Sequence, residues 1–176
     1  MNFICAKCGK KAPVSTRRPK CDCGGLWELD YHPPTFSEEQ IDRQEWSLFR
    51  YRKFMALEND CWKDISLGEG MTPVIRLNED VLLKMDYFMP TLSFKDRGAA
   101  VLIAHCKSIG VTQVVQDSSG NAGNAVAAYC ARAGICCEIF VPEGTSPKKI
   151  DMIRAHGAVC TVVPGSRDHC AEVCRE

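Results

Sequence analysis

The sequence predicts an α/β protein, a parallel sheet with flanking helices, preceded by a small zinc-ribbon-like module. From residue 93 onward, helical and strand patterns alternate with short glycine-bearing turns. This alternation is typical of parallel sheets, because each parallel connection crosses over through a helix. Before residue 30, four cysteines stand in two close pairs, as they do in structural zinc sites. We therefore expect a module at 1–30, a linker and helical segment at 31–66, and an incomplete α/β domain at 67–176.

Composition excludes several classes of partner. The 176 residues carry 22 basic and 22 acidic side chains, so a net charge of zero gives no basis for binding nucleic acid or an anionic membrane. No apolar run reaches the length of about 18 residues that spans a bilayer. Lys7, Lys10 and Lys11 interrupt the apolar stretch that a secretory signal would need. We expect a cytoplasmic protein that binds neither nucleic acid nor membrane.

The N-terminal cysteines are candidate metal ligands. Cys5, Cys8, Cys21 and Cys23 could close a tetrahedral Zn²⁺ site, which would be structural because four protein ligands leave no position for water. The alternative is a cysteine-rich arm without metal, or with an adventitious disulfide. The other eight of the twelve cysteines stand among apolar residues, where we expect them to pack as small hydrophobic side chains.

The element boundaries follow from hydrophobic spacing and from proline and glycine positions. Residues 38–57 predict a helix, and residues 74–77 and 81–85 predict short strands. Beyond them the pattern predicts helices at 93–109, 122–133, 147–156 and from 168, with strands at 111–116, 136–141 and 158–163. The last helical pattern is not complete at Glu176, so we expect the chain to be part of a larger protein.

Lys95 is a candidate nucleophile. Ser93 and Asp96 have the spacing of a capping box, which would place Lys95 at about the second position of a helix. The helix dipole disfavours an ammonium ion there, and Arg97 adds like charge. Both effects favour the neutral amine, which is the form that makes a Schiff base. The alternative is an ordinary surface lysine on a capped helix.

A second candidate is the turn Ser118-Ser119-Gly120-Asn121, between a predicted strand and a predicted helix. Free backbone N–H groups at such a turn bind anions, and ligands of open α/β sheets lie at this edge. The alternative is an ordinary N-cap with glycine for the turn. Gly120 and Gly123 alone do not make a dinucleotide fingerprint. From the pairing of this turn with Lys95, we expect a site for an aldehyde cofactor bound to the lysine, with a carboxylate beside it.

The order of the motifs resembles that of threonine synthases, within the fold type II pyridoxal-phosphate superfamily. The motifs are Gly68-Glu69-Gly70-x-Thr72-Pro73, Pro90-Thr91-x-Ser93-Phe94-Lys95-Asp96-Arg97-Gly98, Ser118-Ser119-Gly120-Asn121, Pro142-Glu143-Gly144, Pro147-Lys148-Lys149 and Gly157-Ala158. The resemblance covers most of the chain and is firmest from Leu67 onward. Cysteine-pair N-termini also occur in some members.

The resemblance implies a role for each matching residue. Lys95 would bind pyridoxal 5′-phosphate as a Schiff base and then move protons at the substrate's Cα and Cβ. Asn121 would hydrogen-bond the cofactor's 3′-oxygen, and Ser118, Ser119 and Gly120 would hold the carboxylate of a small amino-acid substrate. The implied reaction is that of a lyase, which converts O-phosphohomoserine and water to threonine and phosphate. A homodimer is the implied assembly.

Two residues depart from the family pattern. Met89 and Leu92 stand where the family usually has asparagine and glycine. We expect Met89 to remove a polar contact, and Leu92 to be unable to take the backbone states that glycine takes. Two alternatives therefore stay open. One is a related enzyme of the threonine dehydratase, serine dehydratase or cysteate synthase type; the other is a non-catalytic zinc-binding or interaction module on a degenerate fold.

Overall fold

The computed structural model describes residues 1–176. The chain divides into two compact units. Unit 1 comprises Met1–Arg43 and Arg50–Glu58, and unit 2 comprises Gln44–Phe49 and Asn59–Glu176. None of the helices has both the length and the apolar character needed to cross a membrane.

Unit 1 is built on a three-stranded antiparallel sheet. Its strands are β1 (Asn2–Cys5), β2 (Lys11–Pro13) and β3 (Trp27–Asp30), in the order β2-β1-β3. Cys5, Val14 and Cys21 are buried within this unit. Two of its three buried apolar residues are therefore cysteines, so the sheet has little hydrocarbon core of its own.

The segment at 38–57 differs from the prediction of one helix. The structure has two short 3-10 helices, Glu38–Gln40 and Leu48–Phe54, the second kinked at Tyr51. The apolar residues do not share a face, because Phe49 is fully buried whereas Trp46 is 74% exposed. Gln44–Phe49 belongs to unit 2 while the residues on either side belong to unit 1. Tertiary packing has therefore overridden the local helical pattern.

Unit 2 begins with small elements and continues as alternating helices and strands. The small elements are α1 (Trp62–Ile65) and an antiparallel hairpin of β4 (Val74–Arg76) and β5 (Leu82–Lys84), followed by a 3-10 turn at Asp86–Phe88. The alternating part comprises α2 (Asp96–Ser108), β6 (Gln113–Asp117), α3 (Asn121–Ala133), β7 (Cys136–Pro142), α4 (Pro147–Ala155), β8 (Val159–Val163) and α5 (Arg167–Val173).

The predicted parallel sheet with flanking helices is confirmed. Strands β6, β7 and β8 pair in parallel in that order, and Val115 of β6 is in register with Glu138 of β7. Helices α3 and α4 pack against β7 and β8 respectively, and α5 packs against both strands. Along β7 the side chains of Cys137, Ile139 and Val141 are buried. These residues alternate along the strand, so they supply one continuous face of the core.

Helix α2 buries a face made mostly of small side chains. Leu102 is 47% exposed, whereas Ala100 and Ala104 are buried. The buried side of α2 consists mostly of alanines and packs against α1 and α3. Small side chains allow helices to approach closely. The alanine face of α2 is therefore the face that the neighbouring helices cover.

Candidate functional site

The residues at 91–96, called here the lysine turn, form a closed loop before α2. The fully buried carboxylate of Asp96 accepts a hydrogen bond from the backbone N–H of Thr91 at 2.7 Å and another from the Thr91 hydroxyl. The buried hydroxyl oxygen of Ser93 accepts from the backbone N–H of Lys95 at 3.2 Å. The expected capping box between Ser93 and Asp96 is wrong, because Asp96 is engaged by Thr91 and Lys95 itself is the N-cap residue.

Lys95 is presented to solvent by this loop. It lies between two buried residues, Ser93 and Asp96, yet its own side chain is exposed. Its Nζ lies 4.6 Å from the ring centroid of Phe94, which is also exposed. An amine next to an aromatic ring, held by a backbone that is anchored on both sides, is accessible to a carbonyl compound.

Leu92 and Met89 behave differently from expectation. Leu92 adopts φ +62°, so the expectation that leucine could not take a glycine-like conformation is wrong. The left-handed conformation costs a non-glycine residue about 1–2 kcal/mol. Met89 is buried, and its Sδ accepts a hydrogen bond from the backbone N–H of Gly70 at 3.2 Å. Met89 thus keeps a weak polar contact at a position where we expected none.

Arg97 is engaged in an ion pair that sequence reasoning missed. Its guanidinium donates to Asp86 Oδ1 at 3.0 Å, and the Thr72 hydroxyl donates to the same oxygen at 2.7 Å. These hydrogen bonds, that from Arg97 first, lower the pKa of the Asp86 carboxyl. Thr72 lies in the Gly-Glu-Gly-x-Thr-Pro motif, which was the available signal for this contact. The pair ties the first turn of α2 to the 3-10 turn after the hairpin.

The residues at 118–123, called here the anion turn, connect β6 to α3. Ser118 N–H donates to Phe140 O of β7 at 3.1 Å, and Gly123 N–H donates to Ser118 Oγ at 3.1 Å. A Cβ at position 123 would come within 2.4 Å of Ser118 O, so this position requires glycine. Ser119 and Gly120 are partly exposed, and Asn121 is exposed as the first residue of α3.

The topology places the anion turn at one edge of the sheet and packs the helix after the lysine turn against the helix after the anion turn. Helix α2 leads into β6 through residues 109–112, and α3 leaves β6 through the anion turn. Helix α3 therefore begins at the carboxyl end of β6. Helix α2 packs against α3. A surface cavity of about 390 Å³ lies after β7, lined by Ser119, Pro142, Glu143, Gly144, Thr145, Ser146 and Lys149.

The donor set fits an aldehyde cofactor with an anionic ligand beside it. Lys95 supplies an exposed amine. The Ser118 oxygen accepts from Gly123, which leaves its O–H free to donate. Asn124, in the first turn of α3, is 5% exposed, and its Oδ1 has no hydrogen-bond partner. A carboxylate has no proton to donate to this oxygen, so Asn124 is not a ligand of the anion.

The four N-terminal cysteines converge as predicted. Their Sγ atoms all lie within 4.8 Å of one another, with Cys5 and Cys23 3.4 Å apart and Cys8 and Cys21 3.7 Å apart. A tetrahedral zinc ion with Zn–S bonds of about 2.3 Å holds its sulfurs about 3.8 Å apart. The backbone N–H of Cys8, together with that of Lys7, lowers the pKa of the Cys5 thiol to about 6. This donor set fits zinc.

A family model described as pyridoxal-phosphate dependent enzyme matches residues 65–176. The chain belongs to this family. The match includes both the lysine turn and the anion turn, and it confirms the resemblance to the fold type II pyridoxal-phosphate enzymes.

Relatives of this chain include several threonine synthases. The chain is 32% identical to the threonine synthase of Methanocaldococcus jannaschii over 98% of its own length and 45% of that protein. It is 34% identical to the threonine synthase of Mycobacterium leprae over 79% of its own length and 41% of that protein. The chain therefore spans less than half the length of these relatives.

Solved structures show the same fold. An O-ureido-L-serine synthase superposes with a TM-score of 0.56 at 25% identity, over 68% of this chain and 40% of that protein. A hydrogen sulfide-producing enzyme from Fusobacterium nucleatum superposes with a TM-score of 0.56 at 26% identity, over 68% and 41% of the two chains.

Proposed function

We propose that this chain is the N-terminal part of an enzyme of threonine-synthase type, which converts O-phosphohomoserine and water to threonine and phosphate. One observation carries the proposal: the helix that follows the exposed Lys95 packs against the helix that begins with the anion turn. The similarity to threonine synthases along almost the whole chain supports this substrate.

Pyridoxal phosphate, when bound, supplies an electron sink for charge that develops on the substrate. Lys95 would hold the cofactor through its aldehyde and would then carry a proton between the substrate's Cα and Cβ. Its side chain is exposed and flexible, while its backbone is held by Ser93 and Asp96. A mobile amine on a fixed backbone can reach two neighbouring carbons without displacement of the turn.

The anion turn would bind the substrate carboxylate. The hydroxyl groups of Ser118 and Ser119 and the backbone N–H of Gly120 would donate to the carboxylate oxygens, and the α3 dipole would favour the negative charge. Asn121 would donate its side-chain amide to the cofactor's 3′-oxygen. No atom lies within 4 Å of a Cβ built on Gly120, so there is room for a ligand beside this residue.

Covalent trapping tests the role of Lys95. Incubation of the chain with pyridoxal phosphate, reduction with borohydride and peptide mapping are expected to place the label on Lys95. Lys95→Arg keeps the charge and should lose that label, whereas Lys63→Arg, an exposed lysine on α1, should keep it. A label distributed equally over the exposed lysines would contradict the proposal.

A substrate panel tests the reaction in the complete enzyme. Threonine and phosphate released from O-phosphohomoserine would support the synthase. Oxo acid and ammonia from threonine or serine would indicate an eliminating enzyme instead. No turnover of the three compounds by a protein that binds zinc would support the non-catalytic alternative. The homodimer stays a prediction.

We also propose that Cys5, Cys8, Cys21 and Cys23 bind one structural Zn²⁺. The sulfur separations support this assignment. Metal analysis of the purified chain is expected to give one zinc per chain. Cys21→Ser should lose the zinc, whereas Cys136→Ser, at an exposed cysteine of β7, should retain it. Equal zinc contents in the two variants would exclude this site.

A further inference from the structure

We propose that Glu69 is a positioning residue, which sets the lysine turn relative to the anion turn through a chain of contacts. This chain of contacts, called here the brace, runs through Tyr129, Glu69, Gly70 and Met89. The inference rests on the proposed function, since it concerns how Lys95 is held near the substrate's binding turn.

One end of the brace is on α3. The hydroxyl of Tyr129 donates to Glu69 Oε2 at 2.9 Å, and both side chains are fully buried. The same carboxylate accepts from Leu67 N–H at 2.9 Å and from the Ser66 hydroxyl at 3.1 Å. Tyr129 lies eight residues after Asn121, which is about 12 Å along the helix. Glu69 is therefore hydrogen-bonded to the helix that begins with the anion turn.

The other end of the brace reaches the lysine turn. Gly70 N–H donates to Met89 Sδ at 3.2 Å, and Met89 O accepts from Leu92 N–H at 2.8 Å. Leu92 belongs to the loop that Thr91 and Asp96 close before Lys95. A continuous series of hydrogen bonds and peptide bonds thus joins α3 to the residue three positions before Lys95.

The loop between the two ends is closely packed against Leu48. Leu48 N–H donates to Glu69 O at 2.6 Å. A Cβ at Gly70 would come within 2.7 Å of Leu48 N, and Gly70 has φ +108°, so the backbone has no room to shift there. Because a buried carboxylate must have several donors to be tolerated, Glu69 specifies one arrangement of the elements that donate to it.

Position matters for this chemistry because reacting groups must meet within a few tenths of an ångström. A displacement of about 1 Å can lower a rate about 100-fold. Removal of the brace should therefore change the reactivity of Lys95 while leaving the fold intact. A residue that only stabilises the fold would not change this reactivity under conditions where the protein stays folded.

Tyr129→Phe, which removes only the hydroxyl, tests the inference in the full chain. Borohydride trapping of pyridoxal phosphate on Lys95, relative to Lys63 in the same sample, is expected to fall about tenfold. Ile153→Val, which trims a buried side chain of α4, serves as a control for lost stability and should leave the ratio unchanged. A ratio that is equal in wild type and Tyr129→Phe would overturn the brace.

A second variant and readout keep the test independent of cofactor binding. Met89→Leu preserves volume but removes the acceptor of Gly70 N–H. Hydrogen exchange at Gly70 and Leu92 is expected to be about tenfold faster in Met89→Leu and in Tyr129→Phe, and unchanged in Ile153→Val. Hydrogen exchange that is unchanged in both variants would contradict the proposed role of the brace. If the variants show this exchange pattern but wild type gives no label on Lys95, the proposed function fails and the brace stands.

Discussion

The buried carboxylate of Asp96 accepts two hydrogen bonds from a single residue, Thr91, one from its backbone and one from its side chain. The two residues are five positions apart, so the contact closes a small loop immediately before α2. Lys95 lies inside this loop, next to the carboxylate that closes it. The loop therefore fixes the backbone of the candidate nucleophile independently of the sheet.

Asp96→Asn should destabilise the fold by about 2 kcal/mol. Asparagine keeps one acceptor, but its NH₂ group faces a Thr91 donor, and buried hydrogen bonds to charged groups are worth about 1.5–3 kcal/mol. Urea unfolding measures the change. Asp64→Asn, at an exposed carboxylate of α1, should change stability by less than about 0.5 kcal/mol. Equal effects of the two substitutions would show that the hydrogen bonds from Thr91 to the Asp96 carboxylate do not stabilise the fold.

Leu92→Gly should stabilise the fold by about 0.5–1 kcal/mol. Glycine relieves the left-handed strain, which stabilises the folded state by about 1–2 kcal/mol. It also raises the chain entropy of the unfolded state, which offsets about 0.5–1 kcal/mol of this gain. Because Leu92 is 66% exposed, little buried surface is lost. Leu102→Gly, at a half-exposed leucine inside α2, is the matched control and should destabilise by about 1 kcal/mol. Destabilisation by Leu92→Gly would mean that its side chain has a packing role.

Gly70→Ala and Gly98→Ala should have opposite effects on the free energy of unfolding. At Gly70 the positive φ and the contact with Leu48 predict a loss of at least about 2 kcal/mol. Gly98 lies in α2, and a Cβ there meets no atom within 4 Å, so alanine should add about 0.5–1 kcal/mol. Thermal or urea unfolding of the two variants provides the comparison, and effects of the same sign would contradict it.

The stability that Glu69 contributes should fall as pH rises. Burial raises the pKa of the Glu69 carboxyl, so the folded state binds its proton more tightly than the unfolded chain does. The contribution is complete below the unfolded pKa of about 4.3 and is lost as pH rises through the folded pKa.

Urea unfolding of wild type and Glu69→Gln across this pH window measures that dependence. The stability of wild type relative to Glu69→Gln should decrease with rising pH and then level off. Glu79→Gln, at an exposed glutamate after β4, should follow the wild-type profile. A stability difference that increases with pH would show that ionised Glu69 is the better-tolerated form.

Gly25→Ala should weaken zinc binding at least about tenfold. A Cβ at this position would lie 2.5 Å from Cys5 Sγ and 2.8 Å from the Cβ of Lys7, so the sulfurs could not keep their separations. Competition with a chromogenic chelator measures the affinity. Leu26→Ala, at the exposed neighbouring residue, should bind zinc as wild type does. Wild-type affinity in Gly25→Ala would place the metal elsewhere.

Periodicity and turn residues predicted the helices and strands from residue 93 onward, because the type of each element there is set by spacing and turn residues within its own segment. Val126 and Tyr129 of α3 are buried as their spacing requires. The pairing of Cys5 and Cys8 with Cys21 and Cys23 was also predictable, since ligand chemistry constrains spacing. The segment at 38–57 was not, because its residues are divided between two units whose packing no local pattern encodes.

The sequence by itself determined the parallel α/β architecture, the cysteine cluster and the two turns with Lys95 and Asn121, since each depends on residues close together in the chain. Only the tertiary structure decided which long-range contacts fix the positions of the two turns. The contact between Glu69 and Tyr129 joins residues 60 positions apart, and Met89 meets Gly70 across 19 positions. Such contacts depend on where packed elements meet, and spacing along the chain does not report that.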